Sequence, residues 1–239
     1  MSIIVSQGSR YAVFFVPSAN SDLYRFGSSV LGYDSYAGAA VDHPAEFKTN
    51  PQRWRKATEE PRRYGFHAML KAPFHLSPSC TEVQLVSAIE SFAGLGYVAP
   101  TIVPTVQIIN GFAAVVSLKA EPSLAALATA CSTIFDAYRA PISPQERARR
   151  IAAGLSESQI QSLAQWGDPF VQSNFQFHLK LTGKIRASQH QKTLTLLQKC
   201  FDRMCDDRPI PIDRIALAKQ ISAQASFRVV SHPAPQAVT

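Results

Sequence analysis

No run of apolar residues in this 239-residue chain is long enough to cross a bilayer, although 46% of the residues are hydrophobic. A membrane-spanning helix and a membrane partner are therefore not expected. Met1 to Gln7 lacks a basic stretch leading into a long apolar segment, so a secretory leader is not expected either, and a cytoplasmic location is. Cysteine is scarce: Cys80, Cys131, Cys200 and Cys205 form no Cys-x-x-Cys pair, and a chain of this size needs no bridging. Free thiols suit a reducing compartment, with Cys131 and Cys200 in apolar helical patterns that place them in the core. The chain has no phosphate-binding P-loop, no Gly-x-Gly-x-x-Gly after a strand, no His-Glu-x-x-His and no Gly-x-Ser-x-Gly. These absences weigh against the ATPase, dinucleotide, zinc-protease and serine-hydrolase classes.

What the chain does contain is a repeated segment. Tyr64-Gly65-Phe66-His67-Ala68-Met69-Leu70-Lys71 is echoed by Phe175-Gln176-Phe177-His178-Leu179-Lys180-Leu181-Thr182. Each copy reads Phe-His-apolar-x-Leu, and each has a lysine close to the histidine. The formal net charge is +7, which favours an anionic partner such as a phosphate ester, a nucleotide or RNA. Basic residues gather at Arg53, Arg55, Lys56, Arg62 and Arg63 before the first histidine, and at Lys180, Lys184 and Arg186 around the second.

Residues 10–16 read as a buried strand, and Asn20 or Ser21 caps a helix to Leu31 that Gly32 stops. Residues 33–60 show no period and read as a long loop. From Phe66 to Leu76 the chain alternates, with His67, Met69 and Lys71 on one face. Ser79 and Glu82 spell a capping box for a helix to about Ala93. Gly94-Leu95-Gly96 is its stop. Asn110-Gly111 supplies the turn of a hairpin over 105–118, and an apolar stripe predicts a helix over 124–138. Residues 141–167 look inserted, with Ser143, Pro144 and Glu146 opening one short helix and Ser156 another. A second histidine strand spans 174–185 with Gln176, His178, Lys180 and Thr182 on its polar face. A helix over 188–204 and a strand pair at 213–217 and 227–230 complete an α+β chain of mostly antiparallel strands. The organisation read is one bilobal domain: residues 10–140 with the His67 strand, the 141–167 insertion, residues 168–232 with the His178 strand, and a loose tail from 233 to 239.

A histidine titrates near neutrality, so two facing a phosphorus centre divide the work of base and acid. Lys180, on the His178 face, and Lys71, on the His67 face, are candidate donors to phosphoryl oxygens, with Arg62, Arg63 and Tyr64 approaching from the preceding segment. Met69, Tyr11 and Gln220 are candidates for the cleft wall. The arrangement requires neither metal nor cofactor. His75 falls near its strand end, and His43, His190 and His232 read as loop or surface residues.

At these residues the chain resembles the two-histidine (2H) phosphoesterase superfamily, also called LigT-like. Arg62 to Phe74, with Arg10 to Pro17, Leu23 to Tyr33 and Phe175 to Gly183, is similar to a branch associated with phosphonate-utilisation genes. The resemblance implies a bilobal, pseudo-symmetric α+β fold around a central cleft. It also implies metal-independent hydrolysis of a cyclic or nucleotide-derived phosphodiester, with His67 and His178 as the acid/base pair. The superfamily carries Ser or Thr two residues after each histidine to bind phosphate; this chain carries Met69 and Lys180. Met69 has no donor, whereas Lys180 brings three donors and a full charge that also lowers the pKa of His178. One alternative is a protein on the same scaffold that binds a phosphorylated ligand or RNA with little turnover, using the basic residues and Trp54 and Tyr64 for stacking. Another is a partner-binding protein that docks through 141–167.

Overall fold

The computed structural model describes residues 8–95, 98–206 and 208–233. Its strands are β1 (Arg10–Phe15), β2 (Tyr33–Asp34), β3 (Ala39–Ala40), β4 (Ala68–His75), β5 (Thr101–Ile102), β6 (Pro104–Ile109), β7 (Phe112–Ser117), β8 (Leu179–Lys180), β9 (Ile210–Pro211), β10 (Ala216–Gln220) and β11 (Arg228–Ser231). Its helices are α1 (Asp22–Leu31), α2 (Pro51–Ala57), α3 (Glu59–Arg62), α4 (Glu82–Gly94), α5 (Pro122–Ile134), α6 (Pro144–Ile151), α7 (Glu157–Trp166) and α8 (His190–Met204). Seven strands form one antiparallel sheet in the order β11-β10-β1-β4-β8-β7-β6. Among the described residues no helix is long and apolar enough to cross a membrane.

Local chemistry sets most boundaries. Ser21 caps α1 by accepting the Tyr24 N–H, and Gly32 closes it in the left-handed region that a Cβ disfavours. Asn110 (φ 49°) and Gly111 (φ 83°) make the β6–β7 turn. The α4 capping box is Thr81 with Gln84, two residues beyond the expected Ser79/Glu82 pair; both pairs satisfy the same pattern, and Glu82 is instead engaged by Tyr11 and Lys219. That helix ends at Gly94 with Leu95 as its C-cap; Gly96, part of the expected stop, lies outside the described residues, as do residues 1–7 and 234–239 of the expected leaderless start and loose tail. Cys131 and Cys200 are buried, and all four cysteines are free thiols.

Three expectations need correction. Residues 33–60 are not one irregular loop. They hold β2, β3, a 3-10 turn (Ala45–Phe47), α2 and part of α3, because Asn50 caps α2, Pro51 opens it, and Trp54 packs on Phe47 with ring centroids 4.0 Å apart. The second histidine strand is only two residues long. Beyond Lys180 the chain still runs beside β7, but Leu181 and Thr182 both donate to Ala113 O, and Thr182 Oγ1 takes the Ala113 N–H, so the regular ladder stops. The alternation of the first histidine strand also breaks. Phe14 pairs with Met69 but Val13 pairs with Lys71, one step on β1 against two on β4. This bulge turns Lys71 to the face opposite His67 and Met69.

The strands of the two chain halves interleave: β8 lies between β4 and β7, while β10 and β11 extend the sheet beyond β1. At the centre Ala68 pairs with Leu179. Phe66 and Phe177, the residues preceding each histidine, are both anchored in the core. The Phe66 ring lies against the bare Cα of Gly27 on α1, where an added Cβ would overlap it. Gly27→Ala is expected to lower stability by about 1–3 kcal/mol through overpacking, despite a helix-propensity gain of about 1 kcal/mol. Urea denaturation should show this as a lower midpoint at unchanged slope, and Phe66→Leu in the same chain should recover part of the loss.

Candidate active site

The Ala68–Leu179 pairing sets His67 across from Lys180 and Met69 across from His178 on the same side of the sheet. The two histidines are thus diagonal neighbours, a relation that separates their origins by roughly 7 Å. All four residues line one cavity of about 590 Å³, together with Tyr64, Glu60, Phe112 and Asp168.

The repeated sequence has a repeated local geometry. His67 Nδ1 lies 2.9 Å from Gly65 O, and His178 Nδ1 lies 2.8 Å from Gln176 O. A carbonyl only accepts, so in each ring Nδ1 carries the proton and donates it to the residue two positions back. In the neutral rings Nε2 is therefore the basic nitrogen. Gly65 reaches its carbonyl position at φ 76°, a conformation that favours glycine, and a Cβ there would press on Ser35.

Aromatic rings complete the histidine surroundings. Phe14 lies 3.8 Å from the His67 ring, Tyr64 stacks on His67 at 5.9 Å, and Phe227 stacks on Tyr64 at 5.3 Å. Phe112 lies 5.3 Å from His178 and beneath Lys180 Nζ at 4.8 Å. Burial lowers the pKa of His67 to about 4, helped by the charges of His178 and Lys180 and opposed by the Gly65 hydrogen bond. Burial also lowers the pKa of His178. Lys180 adds to that effect, while the Gln176 hydrogen bond and Glu60 oppose it. The lysine effect expected at His178 is present, but desolvation outweighs it.

Lys180 is not idle. Its Nζ pairs with Glu60 Oε2 at 2.6 Å, in a bridge whose carboxylate is half exposed. Such pairs contribute about 0–1 kcal/mol, so an incoming anion can displace Glu60 at small cost.

Several candidates lie outside this cavity. Lys71 Nζ is buried on the far face, bonded to Asp136 at 3.0 Å and to Ser132 O at 3.1 Å. Arg62 is a structural clamp: Nε donates to Leu31 O at the end of α1, and Nη2 donates to Thr58 Oγ1 and Arg55 O. Arg63 is exposed, and its carbonyl accepts the Phe227 N–H. Tyr11 donates to Glu82, and Gln220 is held by Arg10 and Ala225. Trp54 is buried and donates to Val30 O, so its indole presents no stacking surface. His43 and His190 bond Ser29 O and Ile185 O.

Glu60 and Asp168 are among the cavity residues that escaped the sequence reading. Glu60 fell in the supposed loop. Asp168 follows Gly167 at the end of the supposed insertion; it is buried, accepts the Phe170 N–H, and burial raises its carboxyl pKa. An Asp-Pro turn is too common to single it out. Among the described residues no group of three or more His, Cys, Asp or Glu is arranged to hold a metal ion.

Fold and site together define a mixed α/β protein with a large antiparallel sheet and a paired-histidine cavity. The chain belongs to the family described as "Protein of unknown function (DUF1045)", whose model matches residues 69–228, from just after His67 through His178 and Lys180. It is similar to two proteins named ribose 1,5-bisphosphate phosphokinase PhnN. The relative from Janthinobacterium sp. (strain Marseille) is 30% identical over 226 residues, covering 92% of this chain and 49% of the relative. The one from Laribacter hongkongensis (strain HLHK9) is 29% identical over 225 residues, covering 92% and 50%. The chain spans about half the length of these curated relatives.

The His67 surroundings make stability depend on pH. As pH falls below about 6.5 the unfolded chain protonates this ring, while the native ring resists until about pH 4. Stability present above pH 6.5 is therefore lost across that window. His67→Asn should lose less than the wild type between pH 6.5 and 4 in urea melts; parallel curves would contradict the assignment.

Proposed function

We propose that this chain is a phosphodiesterase of the two-histidine type, acting without a metal on a cyclic or nucleotide-derived phosphoester. The observation that carries the reading is the matched pair of Nδ1–carbonyl locks, which leaves Nε2 of both rings as working nitrogens on one cavity. One Nε2 takes the proton of the attacking water or hydroxyl. The other, protonated, gives its proton to the leaving oxygen, so the pair ends with the proton moved from one ring to the other. We assign His67 as the base, since its environment favours the neutral ring more strongly, and His178 as the donor, since the Glu60 carboxylate favours its charged form. Lys180, released from Glu60, stabilises the phosphoryl oxygens in place of the hydroxyl other two-histidine enzymes use. Met69 contributes only wall.

The reading includes one bilobal unit with pseudo-symmetric halves meeting at the histidines, a cytoplasmic setting, and a place in phosphonate metabolism as the sequence resemblance implies. The name of the relatives adds a substrate class, a phosphorylated ribose. The phosphokinase activity in the relatives' name is not part of this reading, since the chain carries no phosphate-loop motif and spans about half of their length. A second reading, ligand or RNA binding with little turnover, is favoured by the Lys180–Glu60 pair, which commits the lysine to a carboxylate.

A panel of 2′,3′-cyclic nucleotides and ribose cyclic phosphates, assayed with EDTA, separates these readings. His67→Ala and His178→Ala are each expected to reduce kcat by about 10²–10⁴-fold, and Lys180→Ala mainly to raise KM. Undiminished turnover in both histidine variants ends the proposal, and absence of turnover with retained binding supports the second reading. With both rings held below their ordinary pKa, kcat/KM should pass through a maximum below pH 6.5; a maximum above pH 7 contradicts the assigned environment.

A further inference from the structure

A second concavity, of about 630 Å³, shares no lining residue with the histidine cavity. One wall is α2, which contributes Arg53 and Lys56; the other is the segment after β8 and the start of α8, which contributes Lys184, Arg186 and Lys192. The walls are held together by the Gly183 N–H, which donates to Ala57 O at 2.7 Å. Phe47 and Trp54, stacked and buried, lie beneath.

All five cations are exposed, and among the described residues none of them takes part in an ion pair. The one carboxylate on the groove, Glu46, is already clamped by Arg203 through bonds of 2.9 and 3.0 Å. Five uncompensated like charges around one small concavity repel one another, and field lines converge there. A bound polyanion relieves that repulsion.

The shape narrows the ligand. The cations face each other across a pocket of small-molecule size rather than following a strip, and the aromatic residues beneath are buried, so no base-stacking platform accompanies them. We propose that this groove binds a small molecule carrying two or more phosphate groups, as a pyrophosphate or sugar bisphosphate does, recognised by its phosphates and not by a base. The site stands apart from the histidine chemistry and does not depend on it.

Calorimetric titration of the whole chain with pyrophosphate, orthophosphate and a single-stranded oligonucleotide tests this, between about 0.05 and 0.2 M salt. Pyrophosphate is expected to bind about tenfold or more tighter than orthophosphate, weakening as salt rises. The exposed-site double variant Lys184→Glu/Arg186→Glu should weaken it by about tenfold or more, with circular dichroism unchanged. Arg25→Glu, a charge reversal outside the groove, and His67→Ala should each leave affinity within about twofold. Equal affinity of the groove variant and wild type overturns the proposal, as does no preference for pyrophosphate. Oligonucleotide binding that strengthens with length while pyrophosphate fails to bind also overturns it, in favour of a nucleic-acid surface. Loss of turnover in His67→Ala with intact pyrophosphate binding separates this site from the catalytic reading.

Discussion

Ala68 of β4 and Leu179 of β8 pair at the centre of the sheet, and the site depends on that contact. It joins segments more than a hundred residues apart, and β8 is only two residues long, so few backbone bonds hold the junction. Burial does the rest. Phe66 and Phe177 anchor the chain just before each histidine, and Ala68 and Leu179 are fully buried just after. Because side chains alternate along a strand, residues flanked by buried neighbours turn to the other face, and both histidines emerge into the same cavity.

The chemistry of that cavity is governed by desolvation more than by charge. Burial is the largest cause of the lowered pKa at both histidines and of the raised pKa at Asp168. Each of these groups is biased toward its neutral form. Lys180 and Glu60 are the nearby charged pair, and the Glu60 carboxylate is half exposed to water. A cavity of neutral bases with a cation held only by a half-exposed carboxylate suits an anionic ligand, since the anion itself restores the charged form of a histidine beside it.

Much of this was legible in the sequence. Caps at Ser21, Ser143 and Ser156, the left-handed Gly32 and Gly167, and the Asn110-Gly111 turn are local signals, and the structure uses them as such. The Phe-His repeat marked both histidines, and Met69, Tyr64 and Lys180 came with them into the cavity. Lys71 did not, because the bulge at Leu70 reversed its side, and strand alternation contains no sign of a bulge. Arg62 and Arg63 looked like phosphate ligands from proximity in sequence, yet Arg62 serves the carbonyl end of α1. Helix α2 was hidden because its seven residues are too few to display a period, although Asn50-Pro51 is a start signal.

By itself, the sequence determined the helix caps, the hairpin turn and the antiparallel α+β character, and it marked the two histidines that share a cavity, because capping, turn geometry and alternation act over a few residues. Only the tertiary structure decided that β8 pairs with β4, that Lys71 turns away, that Glu60 meets Lys180, that Asp168 reaches the cavity, and that five cations from two distant segments face one groove. Those outcomes depend on strand register and on segments far apart in the chain. Both are settled by burial of the whole apolar set at once, which no short window of sequence contains.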